Sequence, residues 1–487
     1  MTEQVSAGRP AVARHRVLLP LALAQFICSF AGSNMNVMIN DISADLDTTV
    51  QGVQVAITVF LLVMAALMIP GGKLTDRYGR KWCLNVGLAL FGLGALISAF
   101  APGLPVLIVG NSLLEGVGTA LLIPPVYILT TLLFADLTGR ARAFGVINGM
   151  AGIGAATGPL LGGLIATALT WRAAFVFQAL VVVAIVVLSR RSLDDPLPPD
   201  RTRPFDTVGA VLSAAGLVLI VMGILAADNN GWLAAGLVLA GILVLAWFVL
   251  WVRARERAGR EALLSMALFR SRTSNLGLVT QNIQWLVLMG MSFVVSAFLQ
   301  VVRGYNAIET GLILSAATAG LLVSSLAAER LARRRPQRTL IVAGFVLTIV
   351  GIVVFLALVG LSPDVWTFLP GLFLTGLGIG AMLTPSVNVV QSSFPEDLQG
   401  EISGLSRSVS NLGSSLGAAI AGTILVSQLG SRPGSSYAAA LMVLAVLALA
   451  GLAAAFFLPA TPAAATAAGP SAPRARSAGP ETPRPPS

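Results

Sequence analysis

The chain has 487 residues, of which 56% are hydrophobic and only 11% charged, and its formal net charge is +10. A set of soluble domains is excluded, because the apolar residues come in successive runs of about twenty, each enough to cross roughly 30 Å of hydrocarbon. A nucleic-acid partner is excluded too, since the positive charge sits at the ends of those runs, where cytoplasmic loops and anionic lipids attract it.

Residues 1–16 read as a basic N-terminal tail. The first apolar run, near 17–39, follows Arg9, Arg14 and Arg16 in the manner of a signal peptide. It lacks a convincing small-residue cleavage site and continues past Asn34 and Asn36, so it reads as helix 1. Asp41, Asp45 and Asp47 then form an acidic outer loop, with Asp41 either a solvated loop acid or a proton-coupling group. Helix 2, near 50–71, and helix 3, near 82–101, flank Gly72-Lys-Leu-Thr-Asp76-Arg77-Tyr-Gly79-Arg80-Lys81. Glycines at both ends allow a tight turn, and the Asp/Arg pairs can bridge neighbouring helix ends.

Helix 4, near 105–129, holds Glu115, the one carboxylate placed well inside the hydrocarbon, where a charge costs at least ~2.5–3.5 kcal/mol. Either it faces a cavity and exchanges a proton, or it hydrogen-bonds a neighbouring helix as a glutamine would. On helix 5, near 143–168, Gly154, Gly158 and Gly162 lie four apart on one face, with Gly163 beside them. Such a face allows close backbone approach, and Pro159 adds a kink. Helix 6, near 173–189, completes a bundle spanning 17–189.

A Pro-rich charged linker, 190–206, leads to two additional helices within 207–252. The basic stretch 253–273 reads as an interfacial amphipathic segment with Leu263, Leu264, Met266 and Phe269 as its apolar side. Six more spans follow within 274–458, near 274–301, 307–328, 339–360, 366–391, 402–428 and 437–458. The first carries Gln281, Asn282, Gln284 and Trp285. With Asn34, these suit the wall of a cavity for amphipathic organic compounds, or else hydrogen bonding between helices. Arg407 reads as a snorkelling helix-end residue. The Ala/Pro/Ser/Arg-rich tail, 459–487, is expected to be disordered.

With both termini in the cytoplasm, only Arg172, Arg303 and Arg432 of the 31 Lys and Arg residues fall outside, which sets the orientation. An internal repeat is also visible. Gly116, Gly118, Pro125 and Phe134 recur as Gly376, Gly378, Pro385 and Phe394, a shift of 260, and Gly145, Gly154, Gly158 and Gly163 recur as Gly404, Gly413, Gly417 and Gly422, a shift of 259. The expected fold is an all-α integral membrane protein of fourteen transmembrane helices: two pseudo-symmetric six-helix bundles with two extra helices between them. Two like bundles suit alternating access to a central site. The spans hold no nucleophile–base pair, metal cluster or nucleotide loop, so no enzyme activity, cofactor or metal is expected.

The Gly72–Lys81 loop resembles the signature loop of the major facilitator superfamily. That resemblance implies that Asp76 helps latch the bundles on the cytoplasmic side, facing the start of helix 13. The Gly154–Gly163 run resembles the family's antiporter motif, found mainly in exporters, and Trp171-Arg172 fits the same pattern. With two extra helices, Phe205-Asp206 and Leu264–Phe269, the chain is most similar to the fourteen-span drug:proton antiporters. The resemblance implies efflux of hydrophobic or amphipathic small molecules in exchange for protons, by a plasma-membrane protein that contacts lipids and works as a monomer. Two positions depart from the branch: Ala31 stands where it carries an aspartate, and Ser112 where it carries an arginine. A facilitator of a lipid or endogenous metabolite, not coupled to protons, is the alternative.

Overall fold

The computed structural model describes residues 11–134, 137–192, 201–202, 204–227, 230–332, 335–359, 364–394, 398–427 and 433–459. The tail from 460, most of the linker 190–206, and Arg9, Arg333, Arg334 and Arg432 lie outside the described residues. Among the described residues every regular element is helical.

Helix α1 (Ala11–Asn34) passes through a 3₁₀ turn into α2 (Ile39–Asp45). Next come α3 (Val50–Tyr78), α4 (Arg80–Ala99), α5 (Leu104–Leu107), α6 (Gly116–Leu133), α7 (Leu137–Ala168) and α8 (Trp171–Ser192). Then follow α9 (Thr207–Leu225), α10 (Gly231–Arg257), α11 (Arg272–Ala297), α12 (Ala307–Ala332), α13 (Gln337–Val359), α14 (Leu369–Gln391), α15 (Gln399–Ser427) and α16 (Pro433–Phe456). Twelve helical stretches among the described residues are long and apolar enough to cross a membrane, and the bent α7 makes thirteen. That bend, 40° between Ala155 and Thr157, lies just before Pro159, the residue type that frees a backbone acceptor. Helix α15 has the length but is not among those stretches.

The pairing of helices repeats along the chain. Helix α1 packs on α7 and α8, as α11 packs on α15 and α16; α6 packs on α3 and α4, as α14 packs on α12 and α13. The two halves meet along two seams, α3 with α15 and α7 with α12. Helices α9 and α10 pair with each other, and α9 lies across the α3–α15 seam.

Several boundaries differ from expectation, among them helix 2, which runs to Tyr78 rather than to 71, and helix 5, which starts at Leu137 rather than at 143. Helix 1 was expected to end near 39, yet the helical course continues to Asp45. The polar Asn36 and Asn40 lower the local hydropathy, but Gln300 of the other half satisfies their backbone: its Nε2 donates to Asn36 O at 2.9 Å and its Oε1 accepts from Asn40 N at 3.0 Å. The stretch 253–273, expected to be an interfacial amphipathic segment, divides its apolar residues. Leu263, Leu264 and Leu268 are buried against Phe248, Val390, Ile402 and Leu405, while Phe269 is exposed. Leu263, Leu264 and Leu268 thus cover the protein's own helix ends.

Candidate functional site

The two halves share contacts along the two seams. Along α3–α15, Ser408 Oγ donates to Ala65 O (2.5 Å), Ser415 Oγ to Thr58 O (3.0 Å) and Gln54 Nε2 to Ala418 O (3.0 Å). These bonds explain how a helix as polar as α15 is accommodated in an apolar protein: its hydroxyls find carbonyl acceptors on the neighbour. The α7–α12 seam is built instead on close backbone approach. A Cβ at Gly163 would strike the Ala307 carbonyl, and one at Gly311 the Pro159 carbonyl. On the adjoining face Gly154, Gly158 and Gly162 receive α1 at Phe26, Ser33 and Asn34. The glycine run with Pro159 thus packs one helix against both its own half and the other.

One end of the molecule carries the Gly72–Lys81 loop. Its only non-helical residue is Gly79, whose φ of 96° is a left-handed backbone that glycine adopts without strain. Asp76 Oδ1 accepts from Arg80 at 3.4 Å, and the Arg77 guanidinium lies 5.6 Å from the Tyr78 ring centroid. An ion pair crosses from this segment to the other half, Lys73 Nζ to Glu401 Oε1 at 2.7 Å, in the first turn of α15. Glu401 Oε2 also accepts from Ser265 N at 3.0 Å, which ties the 258–271 loop to the same carboxylate. At the opposite end Asn36 Nδ2 donates to Ser292 Oγ (3.3 Å) beside the Gln300 contacts, and Asp45 accepts from Trp171 Nε1 (3.0 Å) and from Arg172. Asp41 is half-buried on α2 beside that cluster.

Between these ends lie the remaining candidates. Glu115 closes a π-helical turn, Ile108–Glu115, and is fully buried, with no hydrogen-bond partner on either carboxyl oxygen. Its side chain packs toward α4: a Cβ at Gly94 would sit 2.9 Å from its Cγ. It therefore lies inside the first half rather than on a seam. Ser112 Oγ is bound to Ala56 O at 2.7 Å, and Ala31 is buried, so neither position offers a charge. Gln281 donates to Ser410 Oγ and accepts from Ser406 Oγ, each at 2.9 Å, and Asn282 Nδ2 donates to Val409 O at 2.9 Å. Both amides are thus engaged in α11–α15 packing. Gln284 and Asn34 are buried with unpartnered amide groups, and Trp285 is half-buried next to Gln284.

Three contacts went unread in the sequence. Lys73 was one basic residue among several, and nothing local links it to Glu401. Arg407 does not snorkel: it donates to Tyr127 Oη on α6 and lies 4.9 Å from that ring's centroid. Asp206, seen only as part of a resemblance, is buried and accepts from Gly209 N (3.0 Å), Trp251 Nε1 (3.0 Å) and Leu263 N (3.2 Å).

The sequence model of the Major Facilitator Superfamily matches residues 21–212, 198–418 and 282–480. A protein named as a probable actinorhodin transporter of Streptomyces coelicolor is 29% identical over 441 residues, covering 88% of this chain and 76% of that one. The puromycin resistance protein of Streptomyces alboniger is 30% identical over 413 residues, 84% of this chain and 81% of its own. A multidrug efflux pump of Mycolicibacterium smegmatis is 29% identical over 368 residues, 76% and 72% of the two chains. In fold, the chain is similar to a crystal structure of a peptide transporter in complex with sulfate, with a TM-score of 0.66 over 93% of this chain and 96% of that one, at 19% identity. With a family model spanning nearly all of its helices, the chain belongs to the major facilitator superfamily.

Proposed function

We propose that this chain is a secondary active exporter of hydrophobic or amphipathic small molecules, working by alternating access in exchange for protons. The observation that carries the reading is the α7 glycine face, seated at once on α1 and on α12 of the other half, in a chain whose relatives are named for antibiotic and multidrug efflux. A seam built mainly on backbone-to-backbone contact, with Thr167 Oγ1 accepting from Ile308 N at 3.2 Å, lets one half rock on the other. We place fourteen spans in the membrane, α15 being the polar one, with α9 and α10 outside the two six-helix bundles and both termini cytoplasmic.

In this reading the Gly72–Lys81 end is the cytoplasmic gate. Lys73–Glu401 and the Asp76–Arg80 pair favour its closed form, and the Asn36–Gln300–Ser292 cluster favours closure of the outer side. Glu115 carries the proton. It is protonated while enclosed between α4 and α6, because an ionised carboxylate without a donor is costly there. It releases the proton when rocking admits water along the π-helical turn. Asp41, half-buried at the outer end, is the second acid of the pathway. Gln284, Trp285 and Asn34 supply the polar and aromatic wall, and Gln281 and Asn282 position α15 behind it. The working unit is a monomer in contact with membrane lipid.

The test uses everted membrane vesicles with substrate accumulation and lumenal pH recorded together. Wild type should show substrate-induced proton efflux. Glu115→Gln should abolish it while retaining downhill movement of an uncharged substrate. Gradient-driven accumulation by Glu115→Gln at the wild-type rate would remove the coupling role. Wild-type transport that neither moves protons nor depends on a pH gradient would instead favour the uncoupled facilitator, the reading supported by the uncharged Ala31 and the engaged Ser112 hydroxyl.

A further inference from the structure

Helix α15 presents three different faces. Ser408 and Ser415 bond to α3, and Ser406 and Ser410 bond to Gln281 of α11. Between those faces, at i and i+4, stand Arg407 and Asn411. Arg407 lies six residues past Glu401, about 9 Å further along the helix at 1.5 Å per residue, and so inside the layer closed by the Lys73–Glu401 pair. Among the described residues no carboxylate pairs with it; its contact is the Tyr127 side chain of α6, across the two halves. Tyr127 in turn stacks on Phe144 of α7, with centroids 5.8 Å apart. One turn deeper, the Nδ2 of Asn411 is buried and has no hydrogen-bond partner.

A half-buried cation without a counter-charge and an unused amide donor on the same helical face both favour an incoming acceptor. The adjacent aromatic pair offers stacking faces. We propose that Arg407 and Asn411 form an anion-recognising subsite for aromatic acids, in which a substrate carboxylate or phenolate takes the Arg407 guanidinium from Tyr127. Because Arg407 and Tyr127 lie on opposite halves, that exchange removes a cross-half contact as the substrate binds, so recognition loosens the gate. The inference rests on the exporter reading and assigns it a substrate class.

The experiment compares two dyes in everted vesicles holding the full chain: fluorescein, an aromatic carboxylate and phenolate, and ethidium, a permanent aromatic cation. Wild type should accumulate fluorescein. Arg407→Gln should lower its kcat/KM about tenfold or more, the factor expected for one lost charge-assisted hydrogen bond. Asn411→Ala should raise KM in the same direction. Tyr127→Phe, which frees the guanidinium without removing the ring, should lower KM for fluorescein, a result that a purely structural strut would not give. Unchanged fluorescein transport by Arg407→Gln overturns the proposal, as does a Tyr127→Phe variant that loses transport just as Arg407→Gln does. Accumulation of ethidium but not fluorescein by wild type overturns the subsite and leaves export standing. Accumulation of neither dye counts against export, and against the subsite with it.

Discussion

Asp206 shows how much of this protein's stability rests on single buried polar residues. Its carboxylate caps α9 through Gly209 N, holds the Trp251 indole of α10 and accepts from Leu263 N, with Arg255 Nε 3.7 Å away. One side chain therefore joins both ends of the α9–α10 pair to the loop that follows. Removing a buried carboxylate with this many donors leaves each of them unpaired. Asp206→Ala should cost about 3–5 kcal/mol, the range for breaking a buried charged pair. Asp206→Asn keeps one acceptor and should cost about 1–3 kcal/mol. Thermal unfolding of the detergent-solubilised protein would rank them, and equal melting temperatures for the two variants would refute the carboxylate's central place. The sequence marks Asp206 only through the Phe205-Asp206 resemblance. Its donors come from residues 3, 45 and 57 positions away, and no local pattern contains them.

At the scale of the helix, hydropathy and glycine spacing were legible because both depend on the residue's own chemistry. Apolar runs locate the long helices within a few residues, and the glycine repeat foreshadows real contacts. Gly154 and Gly158 approach Phe26 and Ser33 of α1, while Gly413 and Gly417, 259 positions later, approach Asn282 and Leu286 of α11. What hydropathy leaves open is polarity with a hidden partner. Gln281 and Asn282 read either as a cavity wall or as hydrogen bonding between helices, because their serine and carbonyl partners lie 125 to 129 positions away on α15. The same blindness shortens helix 1, whose Asn36 and Asn40 are completed by Gln300. The glycines themselves separate into two kinds. Gly163 touches the Ala307 backbone, whereas a Cβ at Gly145, on the same helix, meets nothing within 4 Å. Gly163→Val should force α7 from α12, costing about 1–3 kcal/mol through overpacking and most of transport. Gly145→Ala should leave both unchanged. A Gly163→Val protein with normal export would show that the α7–α12 seam need not be tight.

Across the whole molecule, the repeat exchanges partners between halves. Gly163 of α7 meets α12 of the second half, and its counterpart Gly422 of α15 meets Gln54 on α3 of the first. Each half therefore offers one glycine-bearing helix to the other, as a pseudo-twofold relation between the halves would require. In the proposed alternating-access cycle, such paired seams leave the balance between access states to the contacts at the two ends. Asp76→Asn, which removes a charge near the Gly79 turn without opening a cavity, should lose most transport while insertion and abundance stay normal. Wild-type export by that variant would reduce the loop to a topology signal.

The Lys73–Glu401 pair allows a quantitative version of the same test. Its side chains are 29% and 26% exposed, so solvent screens the attraction and the pair is worth about 0.2–1 kcal/mol rather than the several of a buried pair. That corresponds to about a 1.4- to 5-fold shift in the open–closed ratio, too small to unfold the protein and large enough to move a carrier near balance. Lys73→Gln and Glu401→Gln should each shift spin-label distances across this end toward the open form. Glutamine at 401 keeps an acceptor for Ser265 N, so the loop stays attached. Because both substitutions break one bond, the double variant should shift the ratio no further than either single one. Independent, multiplicative shifts would mean that the two residues act through separate partners, and the latch would have to be sought elsewhere along the Asp76–Arg80 turn.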